Sequence, residues 1–244
     1  CNEVDLVVCC GGDGTFNETL SGLLSVESKT PIGYIPTGST NDFASSLKLP
    51  LDVLEATKNI IEGQPVPYDA GRFGGRVFSY VASFGAFTRT SYTTPQSIKN
   101  ALGHTAYVLE GIQELTQIRN EHIKMIVDGE VVEDDFLFGA ICNSTSVGGV
   151  LTLDPDVVDL QDNKLEILLV RAPQNLAELH ECILALQDQT YNCAMLTFRS
   201  ATHIRIFADP EMPWTLDGER EEGHSEVEVV PEHLAYRLMK RVQP

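Results

Sequence analysis

The sequence predicts an α/β unit followed by a mainly β portion, and three observations carry that prediction. Up to about residue 64, short apolar runs alternate with helical patterns; beyond it, strand-like runs rich in Val, Phe and Ile dominate; and Asp128-Gly129 reads as a hairpin turn between two of those runs. With 244 residues and 43% apolar content, the chain can bury one or two sizeable cores. No stretch reaches the ~20 apolar residues of a membrane-spanning helix.

The first element is the apolar strand Val7-Val8-Cys9-Cys10, which runs straight into Gly11-Gly12-Asp13-Gly14-Thr15. Such a turn suits phosphate. Gly11, Gly12 and Gly14 let backbone N–H groups approach an anion, Asp13 can hold a divalent cation, and Thr15 can donate to a phosphate oxygen where the next helix begins. The spacing is not G-x-G-x-x-G, and no Gly-Lys-Ser/Thr follows, which argues against both the dinucleotide fingerprint and the P-loop.

The second unit repeats the plan. Pro31-Ile32-Gly33-Tyr34-Ile35-Pro36 reads as a short buried strand ending in Thr37-Gly38-Ser39-Thr40-Asn41-Asp42-Phe43-Ala44, a polar turn that opens a helix with Ser39, Thr40 or Asn41 as its cap. In a parallel sheet, ligand turns gather at the carboxyl ends of the strands, so the two turns are expected to face one crevice and bring Asp13 near Asp42. An amphipathic helix over 51–61 follows Pro50.

From residue 65 onward the expected strands are 76–83, 122–127, 135–143, 164–171 and 197–207, interrupted by helices at 105–118 and 175–187. This portion reads as a largely antiparallel sandwich. No repeat, low-complexity tract or flexible linker separates the halves.

A net charge of −18 opposes nucleic-acid binding and anionic membrane surfaces, so any lipid contact must be local. Lys99, His104, Tyr92 and Tyr107 are candidates for such a rim. The six cysteines lack C-x-x-C spacing and read as free thiols of a cytosolic protein, and no signal peptide opens the chain. The histidines show no metal-binding spacing.

Taken together, Gly11-Gly12-Asp13-Gly14-Thr15 and Pro36-Thr37-Gly38-Ser39-Thr40-Asn41-Asp42-Phe43-Ala44 resemble the diacylglycerol kinase catalytic-domain family, which includes bacterial lipid kinases and is related to sphingosine and ceramide kinases. The first motif is shared with NAD kinases; the second is characteristic of the lipid kinases. Trp214-Thr215-Leu216-Asp217-Gly218-Glu219 resembles the family's Asp-Gly-Glu element, and the segments at 69–72, 147–155 and 162–170 are also similar. Family members begin with a further strand and an Asn-Pro turn, whereas this chain starts about a strand's length before its first motif.

The resemblance implies a two-lobed NAD kinase/diacylglycerol kinase-like fold. A nucleotide-binding α/β domain over 1–64, completed by about 226–244, would face a β-rich lipid-binding sandwich over 65–225 across an interdomain cleft. It implies an ATP-dependent lipid kinase acting on diacylglycerol or a similar lipid, cytoplasmic and peripheral to the membrane, with a homodimer left open. Phosphoryl transfer needs charge neutralisation on the γ-phosphate, an oriented acceptor hydroxyl and a group to take its proton. Gly11, Gly12, Gly14, Thr15, Ser39, Thr40 and Asn41 would cradle ATP, Asp13 would organise Mg2+, and Asp42 would assist at Mg2+ or bind the lipid glycerol.

Glu219 is the expected general base, since a carboxylate in a closed cleft can have its pKa raised toward neutrality. Asp217 and Glu219 are expected to alternate along one strand and share a face, although Asp217-Gly218 alone is a hairpin signal. Among the acids Asp154, Asp156, Asp159 and Asp162, the resemblance selects Asp162 as ligand of a structural Mg2+. The alternatives are an NAD kinase and a non-catalytic nucleotide-binding regulatory module.

Overall fold

The computed structural model describes residues 4–85, 120–147, 151–191 and 193–241. The expected helix over 105–118 and the rim candidates Tyr92, Lys99, His104 and Tyr107 lie outside the described residues.

Two parallel strands, β1 (Val7–Gly11) and β2 (Ile32–Pro36), are joined by helix α1 (Asp13–Ser25). The short helix α2 (Asp42–Ser46) and then α3 (Val53–Ile61) follow. Asp52 starts α3 by accepting N–H bonds from Leu54 and Glu55, and the helix buries Ala56, Asn59 and Ile60. Strand β3 (Gln64–Phe73) turns into β4 (Arg76–Phe78), and β5 (Val81–Gly85) comes next.

The second portion contains β6 (Glu121–Val127), β7 (Glu130–Cys142), the small pair β8 (Ser146–Val147) and β9 (Leu151–Thr152), and β10 (Leu165–Arg171). Helix α4 (Leu176–Gln187), β11 (Leu196–Ala201), β12 (Ile204–Phe207), β13 (Trp214–Leu216), β14 (Glu219–Glu221) and β15 (Glu226–Lys240) complete it. Asn175 and Glu178 open α4 reciprocally, the Asn175 carboxamide oxygen accepting from Glu178 N–H and its amide donating to the Glu178 carboxylate.

Apart from β1–β2 and the contact of β15 with β2, the described strand pairs are antiparallel, as in the expected sandwich. Two long strands fold this sheet over. The first half of β7 pairs with β6 and the second with β5 and β10; β15 pairs with β12 at residues 226–229 and reaches β2 at Leu238. The register of β3 against β15 shifts between Glu232 and Tyr236, a bulge that bends β15 between the two portions.

Two aromatic-rich cores result. One lies beneath the glycine-rich turns, where Phe16 of the first motif stacks on Phe43 of the second with ring centroids 4.3 Å apart, beside Tyr34 and Tyr236. The other fills the sandwich around the fully buried Trp214, against Phe73 and Phe84.

Two expected strands are broken, each by a distant carboxylate. The run over 76–83 stops at Ser79 and Tyr80, whose N–H groups bond to Asp217. The run over 197–207 stops at Thr202 and His203, where Asp128 takes both N–H groups. Asp128-Gly129 is the anticipated hairpin turn, with φ positive at both residues (47° and 91°).

Candidate active site

Backbone contact between two glycines joins the turns. A Cβ built on Gly38 would lie 2.5 Å from the Gly12 Cα, and one on Gly12 would lie 3.1 Å from the Gly38 Cα, so the chains touch where no side chain fits. Asn41, in the left-handed region at φ 54°, shapes the second turn by accepting from Gly38 N–H at 2.8 Å and donating to its carbonyl at 2.9 Å. Asn41 therefore builds the turn rather than facing the hollow.

Asp13 supplies the cap that the residues before α2 do not. Its Oδ2 accepts from Asp42 N–H at 3.0 Å and its Oδ1 from Phe43 N–H at 3.1 Å. The acid of the first motif thus ties down the helix start of the second, bringing Asp13 beside Asp42 through the Asp42 backbone. Thr15 folds back over Gly11, where an added Cβ would meet its Oγ1 at 2.6 Å, and the Gly11 carbonyl accepts from Thr37 N–H.

The third segment arrives on the β13–β14 hairpin. Asp217 and Gly218 form its turn with φ of 50° and 83°. This corrects the expectation that Asp217 and Glu219 alternate along one strand: the turn separates them and gives them different surroundings. Asp217 is buried and accepts five hydrogen bonds, from Asn17 Nδ2, Ser79 N–H and Ser79 O–H at Oδ2 and from Tyr80 and Val81 N–H at Oδ1. Burial pushes its carboxyl above the ordinary range, while the Ser79, Val81 and Tyr80 donors pull the other way.

Anchored by that turn, Glu219 reaches Gly14, where a Cβ would stand 3.0 Å from its Oε1. The expected closed cleft around Glu219 is not what surrounds it. Its side chain is 54% exposed and lies 3.8 Å from Arg76, which is held in turn by Glu221 at 2.5 Å.

These segments line one hollow of about 190 Å3: Gly12, Asp13 and Gly14 from the first turn, Gly38, Ser39 and Thr40 from the second, with Tyr80, Asp217 and Glu219 closing it. Gly11, Thr15, Asn41 and Asp42 are not part of this lining. Tyr80 and the anchoring role of Asp217 were not expected from the sequence. The Tyr80 signal is three-dimensional, since its N–H meets a carboxylate 137 residues away.

Asp162 does not join this set. It lies in the turn before β10, where Oδ1 accepts from Lys164 N–H and Oδ2 is 3.6 Å from the Lys164 ammonium. Asp154 and Asp159 likewise accept from nearby backbone N–H groups, those of Asp156 and Gln161. Among the described residues, no three His, Cys, Asp or Glu side chains converge on a metal position. A magnesium ion in the hollow would therefore be held by Asp13 and by phosphate oxygens, a donor set that fits an ion usually bound through one or two carboxylates and its substrate.

The chain belongs to the diacylglycerol kinase catalytic domain family, a family of lipid kinases. The model of that catalytic domain matches residues 1–73, and the model of the YegS C-terminal NAD kinase beta sandwich-like domain matches residues 81–237. Relatives named diacylglycerol kinase include one from Bacillus subtilis strain 168, 32% identical over 219 residues (89% of this chain and 72% of the relative), and one from Staphylococcus carnosus strain TM300, 33% identical over 218 residues (89% and 71%).

The fold is shared with solved structures. A diacylglycerol kinase from Bacillus anthracis strain Sterne aligns with TM-score 0.72 at 22% identity, covering 98% of this chain and 78% of that one. An NAD kinase from Archaeoglobus fulgidus, solved in complex with ATP, aligns with TM-score 0.53 at 13% identity, covering 98% and 79%. The kinase family implies ATP as co-substrate, and none of the described helices is long and apolar enough to cross a membrane.

Proposed function

We propose that the protein transfers the γ-phosphoryl group of ATP to a hydroxyl of diacylglycerol or a similar lipid, with Glu219 as general base. The observation that carries this reading is the convergence of three segments, around residues 12–14, 38–40 and 217–219, on one polar hollow. The backbone N–H groups of Gly12 and Gly14, with the hydroxyls of Ser39 and Thr40, bind the triphosphate, while Gly38, its own N–H taken by Asn41, keeps the second turn close enough for them to reach. The N-terminus of α1 adds its partial positive charge.

Asp13 has one acceptor position left on each oxygen after capping α2, and these would hold Mg2+ together with the phosphates. When bound, the ion neutralises charge building on the transferring group. Glu219 accepts the proton of the acceptor hydroxyl as the new O–P bond forms, and the bond to the ADP oxygen breaks with its electron pair leaving on ADP. Asp217 holds the hairpin that aims Glu219, and Arg76 steadies its carboxylate from the outer side. The acceptor lives in a bilayer, so catalysis includes transient contact with a membrane surface.

The test is transfer of label from [γ-32P]ATP in the presence of Mg2+ to diacylglycerol in mixed micelles, with NAD in a parallel reaction. Labelled lipid phosphate without labelled dinucleotide is expected. Labelled NAD with unlabelled lipid contradicts the reading in favour of an NAD kinase, and label on neither favours a regulatory module.

A further inference from the structure

Glu219 belongs to the walls of two cavities. Besides the hollow at the glycine-rich turns, it closes one end of a groove of about 420 Å3 between α1 and the β3–β4 hairpin. That volume falls within the usual span of small-molecule sites. One wall is a single face of α1 carrying Asn17, Glu18 and Ser21; the other carries Arg72 and Arg76.

The lining states what the groove can hold. Its apolar side chains are Leu24 and Val77, too few to shelter acyl chains. Its arginines bring little spare positive charge, because Arg72 pairs with Glu232 and Arg76 with Glu221 and Glu219. Glu18 has no ion-pair partner among the described residues, so the groove carries a surplus carboxylate in a chain of net charge −18. A phosphate or carboxylate is repelled there. Hydroxyls, carboxylate acceptors and the remaining guanidinium N–H donors instead form the mixed donor and acceptor set that several adjacent hydroxyls satisfy.

We propose that this groove is a headgroup subsite for an uncharged, hydroxyl-rich headgroup of the acceptor lipid, delivering one of its hydroxyls to Glu219. The inference rests on the lipid kinase reading above and names the preferred substrate class within it: a glycolipid-like acceptor taken in preference to one with a single free hydroxyl, such as diacylglycerol itself. The transferred proton passes from that hydroxyl to Glu219, the O–P bond forms to the γ-phosphorus, and ADP departs with the electrons of the broken bond. Selectivity follows because a site built to bond hydroxyls leaves its polar groups unpaired when they are missing.

The experiment compares kcat/KM for diacylglycerol, monoglucosyl diacylglycerol and anionic phosphatidylglycerol in mixed micelles, using the wild type, Ser21→Phe and Glu18→Gln. The wild type is expected to favour the glucosyl lipid over diacylglycerol by about tenfold or more. Ser21→Phe fills the groove and brings the ratio near one; Glu18→Gln, an exposed position that tolerates the change, lowers it severalfold. A wild-type ratio near one, a ratio unmoved by both variants, or a preference for phosphatidylglycerol overturns the subsite. If the wild type labels no lipid, the kinase reading fails on its own. The groove is then decided by saturation-transfer NMR with monomeric octyl glucoside and no ATP, where a signal lost in Ser21→Phe and weakened in Glu18→Gln supports it, and no signal or an equal one in all three proteins overturns it.

Discussion

At the scale of single residues, the site depends on what is absent from some positions and over-supplied at others. Gly38 touches the Gly12 backbone, so Gly38→Ala must push the two turns apart. Calorimetric titration with an ATP analogue should show at least about a tenfold loss of affinity, the scale of one lost charge-assisted contact. Gly22, on α1 with open space around it, is the control: Gly22→Ala should raise stability by about 0.5–1 kcal/mol in denaturant melts, because only the helix-propensity cost is removed. Asp217 is the opposite case. Asp217→Ala strands five donors at a buried position and should cost about 3 kcal/mol or more, with Asp217→Asn intermediate. An Asp217→Ala protein as stable as wild type would show that the hairpin needs no anchor.

At the scale of elements, the two strand–turn–helix units were readable because each is local: apolar run, glycine or polar turn and helix start follow within a few residues, and Phe16 and Phe43 mark their shared core. The breaks in two later strands were not readable, because the carboxylates that take their N–H groups lie 138 residues away for Ser79 and 74 for Thr202. Strand β10 hides a further acid. Glu166 is buried, its Oε2 has no hydrogen-bond partner, and burial, with Asp162 nearby, pushes its carboxyl up to about 8. Its folded pKa is above its unfolded one, so the folded state binds more protons between about pH 4.5 and 8, and stability falls as pH rises through that window. Glu166→Gln removes the penalty. Urea melts should show the variant gaining on the order of 3 kcal/mol over wild type at pH 8.5 relative to the difference at pH 4.5. A difference independent of pH would contradict this account of β10.

At the scale of the molecule, the alternation of texture along the chain exposed both halves, but not how they are stitched. β15 pairs with β12 at one end and reaches β2 at the other, and Asp69 on β3 locks its bulge. The fully buried Asp69 carboxylate accepts from Leu234 N–H at 2.6 Å, Asn163 N–H at 2.7 Å and His233 Nδ1 at 3.0 Å. The two cores should therefore unfold together, with Trp214 fluorescence and far-UV circular dichroism giving coincident transitions. Asp69→Ala should lower stability by about 3 kcal/mol and split the two signals; non-coincident transitions in the wild type would contradict the stitching. The same arrangement carries the return of the chain to the glycine-rich turns, and with it the central claim that Glu219 meets the phosphates there. Its most direct test is the rate of phosphoryl transfer from ATP to lipid by Glu219→Gln, with nucleotide affinity measured on the same protein. The account predicts a kcat about 10²–10⁴-fold below wild type with ATP binding nearly unchanged, and an undiminished kcat would contradict it.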